Sequence, residues 1–210
     1  PDYDGRIEKI RRSLNPAAIH VMIASSHAPE EKMIADELAD QMASGKVVLW
    51  IAPRHLNRIE HVISSITRDS EHLLRFSEWS SEENYTSIQI IVVDEWGILN
   101  KCYPFVDCVV MGGTFTDIGG HNIGEPAICG KMIFHGPQMR NFEDMKNLFL
   151  QQNASIEVSD VQALKNQLVN FTQNREPYHL MAGRAKAVMR SSMGATKRNV
   201  EVIKNVFTKN

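Results

Sequence analysis

The sequence predicts an α/β protein with a doubly wound parallel sheet, and three observations predict it. Short apolar runs rich in β-branched residues alternate with amphipathic stretches of helical spacing. The connections between them are short, as in right-handed βαβ units. The apolar runs lack polar–apolar alternation, which is typical of strands covered by helices on both faces. We therefore expect one domain with six or seven strands.

Seven apolar runs are predicted as strands. The clear ones are residues 18–24, 46–52, 88–93, 106–112 and 131–135, and the weaker ones are residues 73–77 and 155–158. Helical spacing predicts helices at residues 30–42, 57–66, 142–150 and 161–171, with a short helix at 122–129. Pro29 and the Ser159-Asp160 pair mark two of the helix starts.

The two ends of the chain differ from this pattern. Residues 1–15 are charged and are predicted to be a linker or a short leading helix. Residues 184–210 are rich in Lys and Arg and are predicted to be a basic C-terminal segment of two helical pieces, broken near residues 191–194. Residues 16–183 then form the predicted domain. The chain starts at Pro1 without an initiator Met, which we interpret as a piece cut from a longer protein.

Composition excludes several classes of protein. The 210 residues carry a net charge of -2, which argues against a bulk nucleic-acid binder. No apolar run approaches the ~18 residues that span a bilayer. The 3 cysteines form no C-x-x-C pair and the 8 histidines form no H-x-x-x-H pair, so no metal site is predicted.

In a doubly wound sheet, ligands bind beyond the carboxyl ends of the strands, so the chemistry is sought in the loops there. The loop after the first strand carries Ser25, Ser26 and His27 before a helix start. It is either an anion site or a plain Ser N-cap. The loop after the second strand carries Pro53 and Arg54. The Arg54 guanidinium either faces a phosphate or carboxylate, or lies on the surface near a helix start.

Two further loops lie at the same edge. In residues 93–97, Trp96 is suited to stack on a flat ring and Gly97 to allow close backbone approach. The alternative is that Asp94 caps a helix and Trp96 lies in the core. In residues 135–142, Asn141 is either a ligand-facing polar group or a simple N-cap.

Residues 111–126 are the richest stretch, because they combine two glycine pairs with several polar side chains. Glycines after a strand and before a helix allow backbone amides to turn toward a phosphate. The residues concerned are Gly112, Gly113, Gly119, Gly120, His121 and Asn122. Glu125 is placed to accept hydrogen bonds from ribose hydroxyls. A generic loop with two glycine pairs is the alternative.

These residues resemble a known family. The pattern Gly112-Gly113-x5-Gly119-Gly120-His121-Asn122-x2-Glu125-Pro126, followed by Gly136-Pro137-x3-Asn141-Phe142, resembles the bacterial 3-deoxy-D-manno-octulosonic acid (Kdo) transferases of lipid A biosynthesis. The likeness extends to Ala24-Ser25-Ser26-His27 with Glu30-Glu31, to Pro53-Arg54-His55, to Asp94 with Gly97, and to Gly194-Ala195, so it covers nearly the whole chain.

The resemblance implies a fold and an activity. The family has two Rossmann-like domains of the glycosyltransferase-B type, and this chain is expected to be the C-terminal, donor-binding half. Residues 1–15 would be the interdomain linker and residues 16–183 the CMP-Kdo-binding domain. The family transfers Kdo from CMP-Kdo to a lipid A precursor with inversion. Its presumed general base, a Glu, lies in the other half, so no catalytic residue is assigned and this piece alone is expected to be inactive.

The resemblance also implies partners and site residues. No metal or other cofactor is expected. The expected partners are CMP-Kdo, a lipid A precursor held through the missing N-terminal domain, and the cytoplasmic face of the bacterial inner membrane, with no nucleic acid; the fragment itself is expected to be soluble. The predicted donor-binding residues are Ser25, Ser26, His27, Pro53, Arg54, Trp96, Gly97, Gly112, Gly113, Gly119, Gly120, His121, Asn122, Glu125 and Asn141.

The roles carry over by position. Arg54 matches the family position that contacts cytidine or phosphate, and Glu125 matches the position that binds the ribose. Residues 25–27 match the positions that face the phosphate or the Kdo carboxylate. The glycine pairs resemble the phosphate-facing loops. The sequence departs from the family pattern at Ala28-Pro29, Glu95-Trp96, Ile98, Asp117 and Gly124, and these departures concern base recognition and the number of Kdo units added. Two alternatives stay open: a nucleotide-sugar epimerase domain, and a non-catalytic nucleotide-binding or membrane-docking module that uses residues 184–210.

Overall fold

The computed structural model describes residues 5–66, 70–81 and 83–207, with side chains described as far as residue 192. All seven predicted strands are present, and every pairing between them is parallel. The strands are β1 Ile19–Ser26, β2 Val47–Pro53, β3 Leu73–Arg75, β4 Ile90–Val92, β5 Cys108–Met111, β6 Met132–His135 and β7 Ile156–Glu157. Their order in the sheet is β3-β4-β2-β1-β5-β6-β7. The predicted doubly wound α/β fold is therefore confirmed.

The helices follow the strands, mostly as predicted. They are α1 Gly5–Ser13, α2 Glu30–Glu37, α3 Ala39–Ala43, α4 Ile59–Ile66, α5 Leu99–Cys102, α6 Gly124–Ile128, α7 Glu143–Gln151, α8 Val161–Gln173 and α9 Glu176–Phe207. The predicted helix over residues 30–42 is divided at Leu38, whose backbone angles are φ -92 and ψ 3. Its apolar stripe of Ile34, Leu38 and Met42 is nevertheless buried.

Two hydrophobic cores cover the two faces of the sheet. Successive residues of one strand enter opposite cores: Met22 and Trp50 belong to the first, and Val21 and Leu49 to the second. The second core contains the apolar face of α2, and the first contains Ala185 of α9. This is why the strands lack polar–apolar alternation, since neither face of the sheet meets solvent.

The described part of the N-terminal segment is a packed helix. Ile7, Ile10 and Leu14 are 0% exposed and lie in the first core. Burial of these three side chains anchors α1 to the sheet through the hydrophobic effect. The short-helix alternative is thus confirmed for residues 5–13, whereas the role of residues 1–15 as an interdomain linker stays a prediction.

The predicted break near residues 191–194 is wrong. The backbone is helical without interruption from Glu176 to Phe207. The Ser191 and Ser192 hydroxyls donate to the Val188 carbonyl at 2.8 and 3.0 Å. Serine hydroxyls bonded back to the preceding turn are accommodated within a helix, so this polar stretch does not end it. In the part of the chain that the structure describes, no helix has the length and apolar character needed to cross a bilayer.

The topology gathers the loops at one edge. β1 lies between β2 and β5, with Ser26 paired to Pro53 and Ala24 paired to Met111. The chain proceeds outward from β1 in one direction through β2, and β5 starts the other half of the sheet on its opposite side. The boundary between β1 and β5 is therefore the topological switch point, where this class of sheet opens a crevice at its carboxyl edge.

Candidate functional site

A cleft of about 390 Å³ opens at the carboxyl edge of the sheet. A second cavity of about 150 Å³ adjoins it and shares four of its lining residues. Six predicted site residues line the larger cavity: Ser25, Arg54, Gly97, His121, Asn122 and Glu125. Pro53 and Trp96 line the smaller one. The structure thus brings together residues from four separate loops, although their role in donor binding stays a prediction.

The larger cavity is also lined by five residues that the sequence analysis did not assign to the site. They are Leu99, Asn100, Tyr103, Met111 and Phe142. Burial raises the pKa of the Tyr103 phenol, and the nearby Glu125 carboxylate raises it further. Tyr103 follows the short helix α5, and only the packing of that helix under the cleft brings the ring there. No motif in the sequence marks it.

Ser25 lies where the two cavities meet. The register of β1 against β2 shifts between Ala24 and Ser26, so Ser25 is an irregularity in the strand. Its φ of 55 lies in the left-handed region, which costs a non-glycine residue energy and often marks a functional position. Ser25 lines both cavities, although the strand resumes its pairing with β2 at Ser26.

The capping alternative for this loop is wrong, because neither serine caps α2. The residue before α2 is Pro29, and no side chain bonds to that helix end. Ser26 is fully buried, and its hydroxyl donates to Glu31 at 3.0 Å. Glu31 in turn pairs with Arg58, with an N–O distance of 3.0 Å. This pair fixes the start of α2 against the turn that follows β2.

Glu30 is the acceptor around which the glycine loop is built. Its carboxylate accepts hydrogen bonds from the backbone N–H groups of Gly113, Thr114 and Phe115 at 2.7, 2.9 and 2.9 Å. The His27 amide donates to it at 3.0 Å. The side chain is 0% exposed, so burial raises the pKa of Glu30 while the four N–H groups oppose that shift.

The glycine pairs allow close backbone packing and backbone hydrogen bonds within the loop. A Cβ on Gly112 would lie 2.4 Å from the Ser25 carbonyl oxygen, so only glycine allows this strand end to pass β1 so closely. The Gly119 and Gly120 amides both donate to the Gly113 carbonyl, at 3.2 and 2.8 Å. The Gly112 amide donates to the Ala24 carbonyl at 2.8 Å, and that of Gly113 donates to Glu30. All four glycine amides that were assigned to a phosphate from the sequence are therefore engaged inside the protein. A direct contact between these glycines and a donor stays a prediction.

Asn141 also holds this loop in place. Its side-chain amide donates to the Ile118 carbonyl at 3.0 Å, and its backbone amide donates to the Gly119 carbonyl at 3.0 Å. It does not cap α7, because the residue before α7 is Phe142 and makes no side-chain cap. Asn122 accepts from the Gly124 amide at 2.9 Å while lining the cleft.

Arg54 is the cation placed at the cleft. It is exposed, lines both cavities, and its backbone amide donates to the Ser26 carbonyl at 3.0 Å. Among the described residues, no carboxylate lies within ion-pair distance of its guanidinium. A planar guanidinium at this place is available to a phosphate or carboxylate.

The loop after β4 separates into a structural and an exposed part. Asp94 accepts from the Ser77 amide at 2.9 Å and from the Ser77 hydroxyl at 2.6 Å, so it fastens the end of β3 to β4. Glu95 pairs with Arg6 of α1 through two bonds, of 2.8 and 2.5 Å. Trp96 is 82% exposed. The alternative of a helix-capping Asp94 with a core Trp96 is therefore wrong.

Three histidines gather beside the cleft. The Nε2 atoms of His27 and His121 are 2.8 Å apart, and their rings are nearly parallel, with an interplanar angle of 9° and centroids 5.1 Å apart. The His55 ring lies edge-on to His27 at 6.0 Å. Burial lowers the pKa of His121 to about 4, with further lowering by His27, Arg54 and His55. Burial also lowers the pKa of His27, and the Arg58 charge lowers it further.

These histidines do not form a metal centre. Among the described side chains, which end at residue 192, no three His, Cys, Asp or Glu groups are placed so as to hold a metal ion. The chemistry of the described site is that of cations, imidazoles and one free carboxylate around an open cleft, which suits an anionic ligand with hydroxyl groups.

No protein-family model matches the chain, but curated proteins do. A bifunctional glycosyltransferase/methyltransferase of Fusobacterium nucleatum is 32% identical over 74% of this chain and 24% of its own length. The Kdo transferase of Chlamydia pneumoniae is 24% identical over 88% of this chain and 42% of its own length. The Kdo transferase of Aquifex aeolicus is 29% identical over 72% of this chain and 41% of its own length. The chain spans less than half the length of these relatives.

Solved structures give the same result. The C-terminal CMP-Kdo binding domain of WaaA from Acinetobacter baumannii aligns with a TM-score of 0.78 and 26% identity, over 88% of this chain and 95% of that one. Anabaena HepE, crystallised with UDP-glucose, aligns with a TM-score of 0.63 over 96% of this chain and 53% of that one. Because the identity is only 13%, this match supports the fold alone. The predicted resemblance is thereby confirmed: the chain is a homologue of the bacterial Kdo transferases and has the Rossmann-like fold of a glycosyltransferase-B domain.

Proposed function

We propose that the chain is the donor-binding domain of an inverting glycosyltransferase that transfers Kdo from CMP-Kdo to a lipid A precursor. The observation that carries the proposal is the cleft at the switch point, where one cavity is lined by Arg54, His121 and Glu125 together. The similarity to the WaaA domain over 88% of this chain supports CMP-Kdo as the ligand of that cleft.

The phosphate of the donor would lie between Arg54 and His121. In the reaction, the bond from the sugar to the phosphate oxygen breaks, and negative charge grows on the departing CMP. The Arg54 backbone is held at the end of β2 by its amide bond to the Ser26 carbonyl, which keeps the guanidinium within reach of the cleft. A preorganised donor aimed at developing charge is typically worth about 3–4 kcal/mol of transition-state stabilisation.

The base of the nucleotide is proposed to lie in the smaller cavity. Trp96 lines that cavity with 82% of its surface exposed, and the next residue, Gly97, lines both cavities. Stacking of a base on an aromatic ring is worth about 1–3 kcal/mol. Because the Glu95-Trp96 pair departs from the family pattern, Trp96 would give this chain its own way of holding the cytosine.

The acceptor and the membrane are further parts of the proposal. Arg184, Lys186 and Arg190 lie on the described part of α9. Basic side chains near a surface are attracted to anionic lipids by about 1 kcal/mol each. We place the working protein at the cytoplasmic face of the inner membrane, where its lipid acceptor would be found. Liposome sedimentation with anionic and neutral lipids tests this point.

Calorimetric titration with CMP tests the function. The chain is expected to bind CMP in the cleft with a measurable heat at millimolar ligand or below, and to bind UMP more weakly. The absence of heat at millimolar CMP, in protein that unfolds cooperatively on heating, would contradict the proposal. Equal or tighter binding of UMP would favour a nucleotide-sugar epimerase, which none of the comparisons supports.

Replacing Glu125 by alanine tests the ribose contact. Loss of a carboxylate that accepts from ribose hydroxyls is expected to weaken CMP about five- to tenfold. The same variant should bind 2′,3′-dideoxy-CMP as well as the unaltered protein does, because that ligand has no hydroxyl to offer. Calorimetry with both ligands measures this, and Glu143→Ala, an exposed carboxylate outside the cleft, is the control. Equal losses for both ligands would refute the ribose role.

A further inference from the structure

The contact between His27 and His121 restricts the charge that the two rings can carry. With the Nε2 atoms 2.8 Å apart, one ring must donate a hydrogen and the other must accept it. Two protonated rings would bring two N–H groups face to face at this distance. The pair therefore carries either no charge or a single one, with one proton between the two nitrogens.

The surroundings of the pair are positive. Arg54 and His55 of the loop after β2 face both rings, and Arg58 of the following turn faces His27. Two nearby carboxylates are engaged: Glu30 accepts four backbone N–H groups, and Glu31, whose charge raises the pKa of His27, is paired with Arg58 and Ser26. A third, Glu125, lines the same cavity as His121, and its charge is not among the causes that shift the pKa of either ring. The free protein thus disfavours a charge on the pair.

Burial acts in the same direction. His27 and His121 are only partly accessible, and desolvation is the main reason why the pKa of each ring is lowered. Near neutral pH the unliganded pair is therefore uncharged, with the rings in opposite tautomers. One ring carries its hydrogen on Nε2, and the other carries it on Nδ1.

We propose that the His27–His121 pair takes up one proton when a phosphomonoester binds in the cleft, so that nucleotide binding is coupled to protonation. The proposal rests on the function proposed above, because that function places a nucleotide phosphate beside His121. A phosphate brings a charge of about -1.5 to -2, which outweighs the repulsion from the two arginines. The added proton goes to the free Nδ1 of the ring that donates through Nε2, and the N–H···N bond between the two rings becomes charge-assisted.

The direction of the pH dependence follows from linkage. The anion raises the pKa of the pair, so the complex holds more protons than the free protein. Affinity for the phosphomonoester therefore rises as the pH falls from the pKa of the pair in the complex to the lower pKa of the pair in the free protein. Outside this interval the protonation of the pair does not change the affinity. Uptake of a full proton changes the Kd about tenfold per pH unit in that interval.

Calorimetry in two buffers of different ionisation enthalpy measures the proton uptake. The unaltered protein is expected to take up protons on binding CMP near pH 7, and none on binding cytidine. His27→Gln and His121→Gln should each lose this uptake while still binding CMP. His61→Gln, a change on the exposed face of α4, is the control and should keep it. Equal uptake in all four proteins would overturn the proposal.

Histidine ¹⁵N NMR of the free protein tests the pair without a nucleotide. At pH 7.5 one ring is expected as the Nε2–H tautomer and the other as the Nδ1–H tautomer, assigned by the loss of each signal in its variant. Two Nε2–H rings would overturn the proposal. If CMP does not bind, the proposed function fails, and inorganic phosphate replaces CMP in the calorimetry; absence of phosphate-linked uptake then also overturns the inference.

Discussion

Replacing Glu30 by alanine is expected to destabilise the fold by about 3–5 kcal/mol, as measured by urea unfolding. The substitution removes the acceptor of four backbone N–H groups, of His27, Gly113, Thr114 and Phe115. Buried donors left without an acceptor each cost about 1–3 kcal/mol, partly recovered where water enters. Because three of these donors belong to the loop after β5, that loop should lose its shape, and CMP binding with it.

Two variants sharpen this experiment. Glu30→Gln keeps one acceptor oxygen but turns an N–H₂ group toward backbone donors, so it should lose less stability than alanine. Glu143→Ala removes a glutamate from the same place in a helix, the first turn of α7, where it is exposed. We expect this control to change stability by no more than about 0.5 kcal/mol. A loss of under about 1 kcal/mol for Glu30→Ala would show that the four bonds do not hold the loop.

Replacing Arg54 by alanine is expected to weaken CMP about 10- to 100-fold, with little effect on cytidine. The guanidinium lines both cavities and has no carboxylate partner among the described residues, so removing it leaves no orphaned group in the protein. The lost free energy is that of hydrogen bonds between a charged donor and a phosphate, about 1.5–3 kcal/mol. Arg54→Lys keeps the charge but not the planar fork, and should show an intermediate loss.

The control for Arg54 is Arg140→Ala. Arg140 lies at the same edge of the sheet, is paired with Asp117, and lines neither cavity. It should leave the Kd of CMP within about twofold. If Arg54→Ala weakens CMP and cytidine equally, the side chain contacts the base or ribose rather than the phosphate. An unchanged Kd for CMP would remove Arg54 from the site.

The same variant connects Arg54 to the histidine pair. The Arg54 charge is one cause of the lowered pKa of His121 and of His27. Without that charge, both pKa values should rise, so a larger fraction of the free protein already carries the additional proton. The proton uptake on binding CMP should then be smaller than in the unaltered protein, a change that NMR titration of the two rings measures directly.

The loops of the site were predictable from sequence because of a property of parallel sheets. All strands present their carboxyl ends to one edge, so a polar residue directly after any strand lies at that edge whatever the strand order. Arg54 and Trp96 were found in this way, and His121 and Glu125 were found from the glycine-rich loop that follows β5. Tyr103 was not, because it follows α5 rather than a strand, and neither its neighbours nor its spacing carry a signal.

The roles within the loops depended on partners distant in sequence. Asp94, Glu30 and Trp96 each have a residue type compatible with several local roles, such as capping a helix or filling the core. Asp94 instead binds Ser77, 17 residues away, and Glu30 binds Gly113, 83 residues away. No local pattern encodes such a pairing.

By itself, the sequence determined the fold class, the edge at which the site lies and the resemblance to the Kdo transferases. It did so because apolar periodicity and strand-end position are local properties of the chain. Only the tertiary structure decided which groups face the cleft and which support it. Glu30 satisfies buried amides, Asn141 secures the glycine loop, and His27 meets His121 across 94 residues. The physical reason is that a buried polar group must find a partner, and in a doubly wound sheet that partner comes from another strand end.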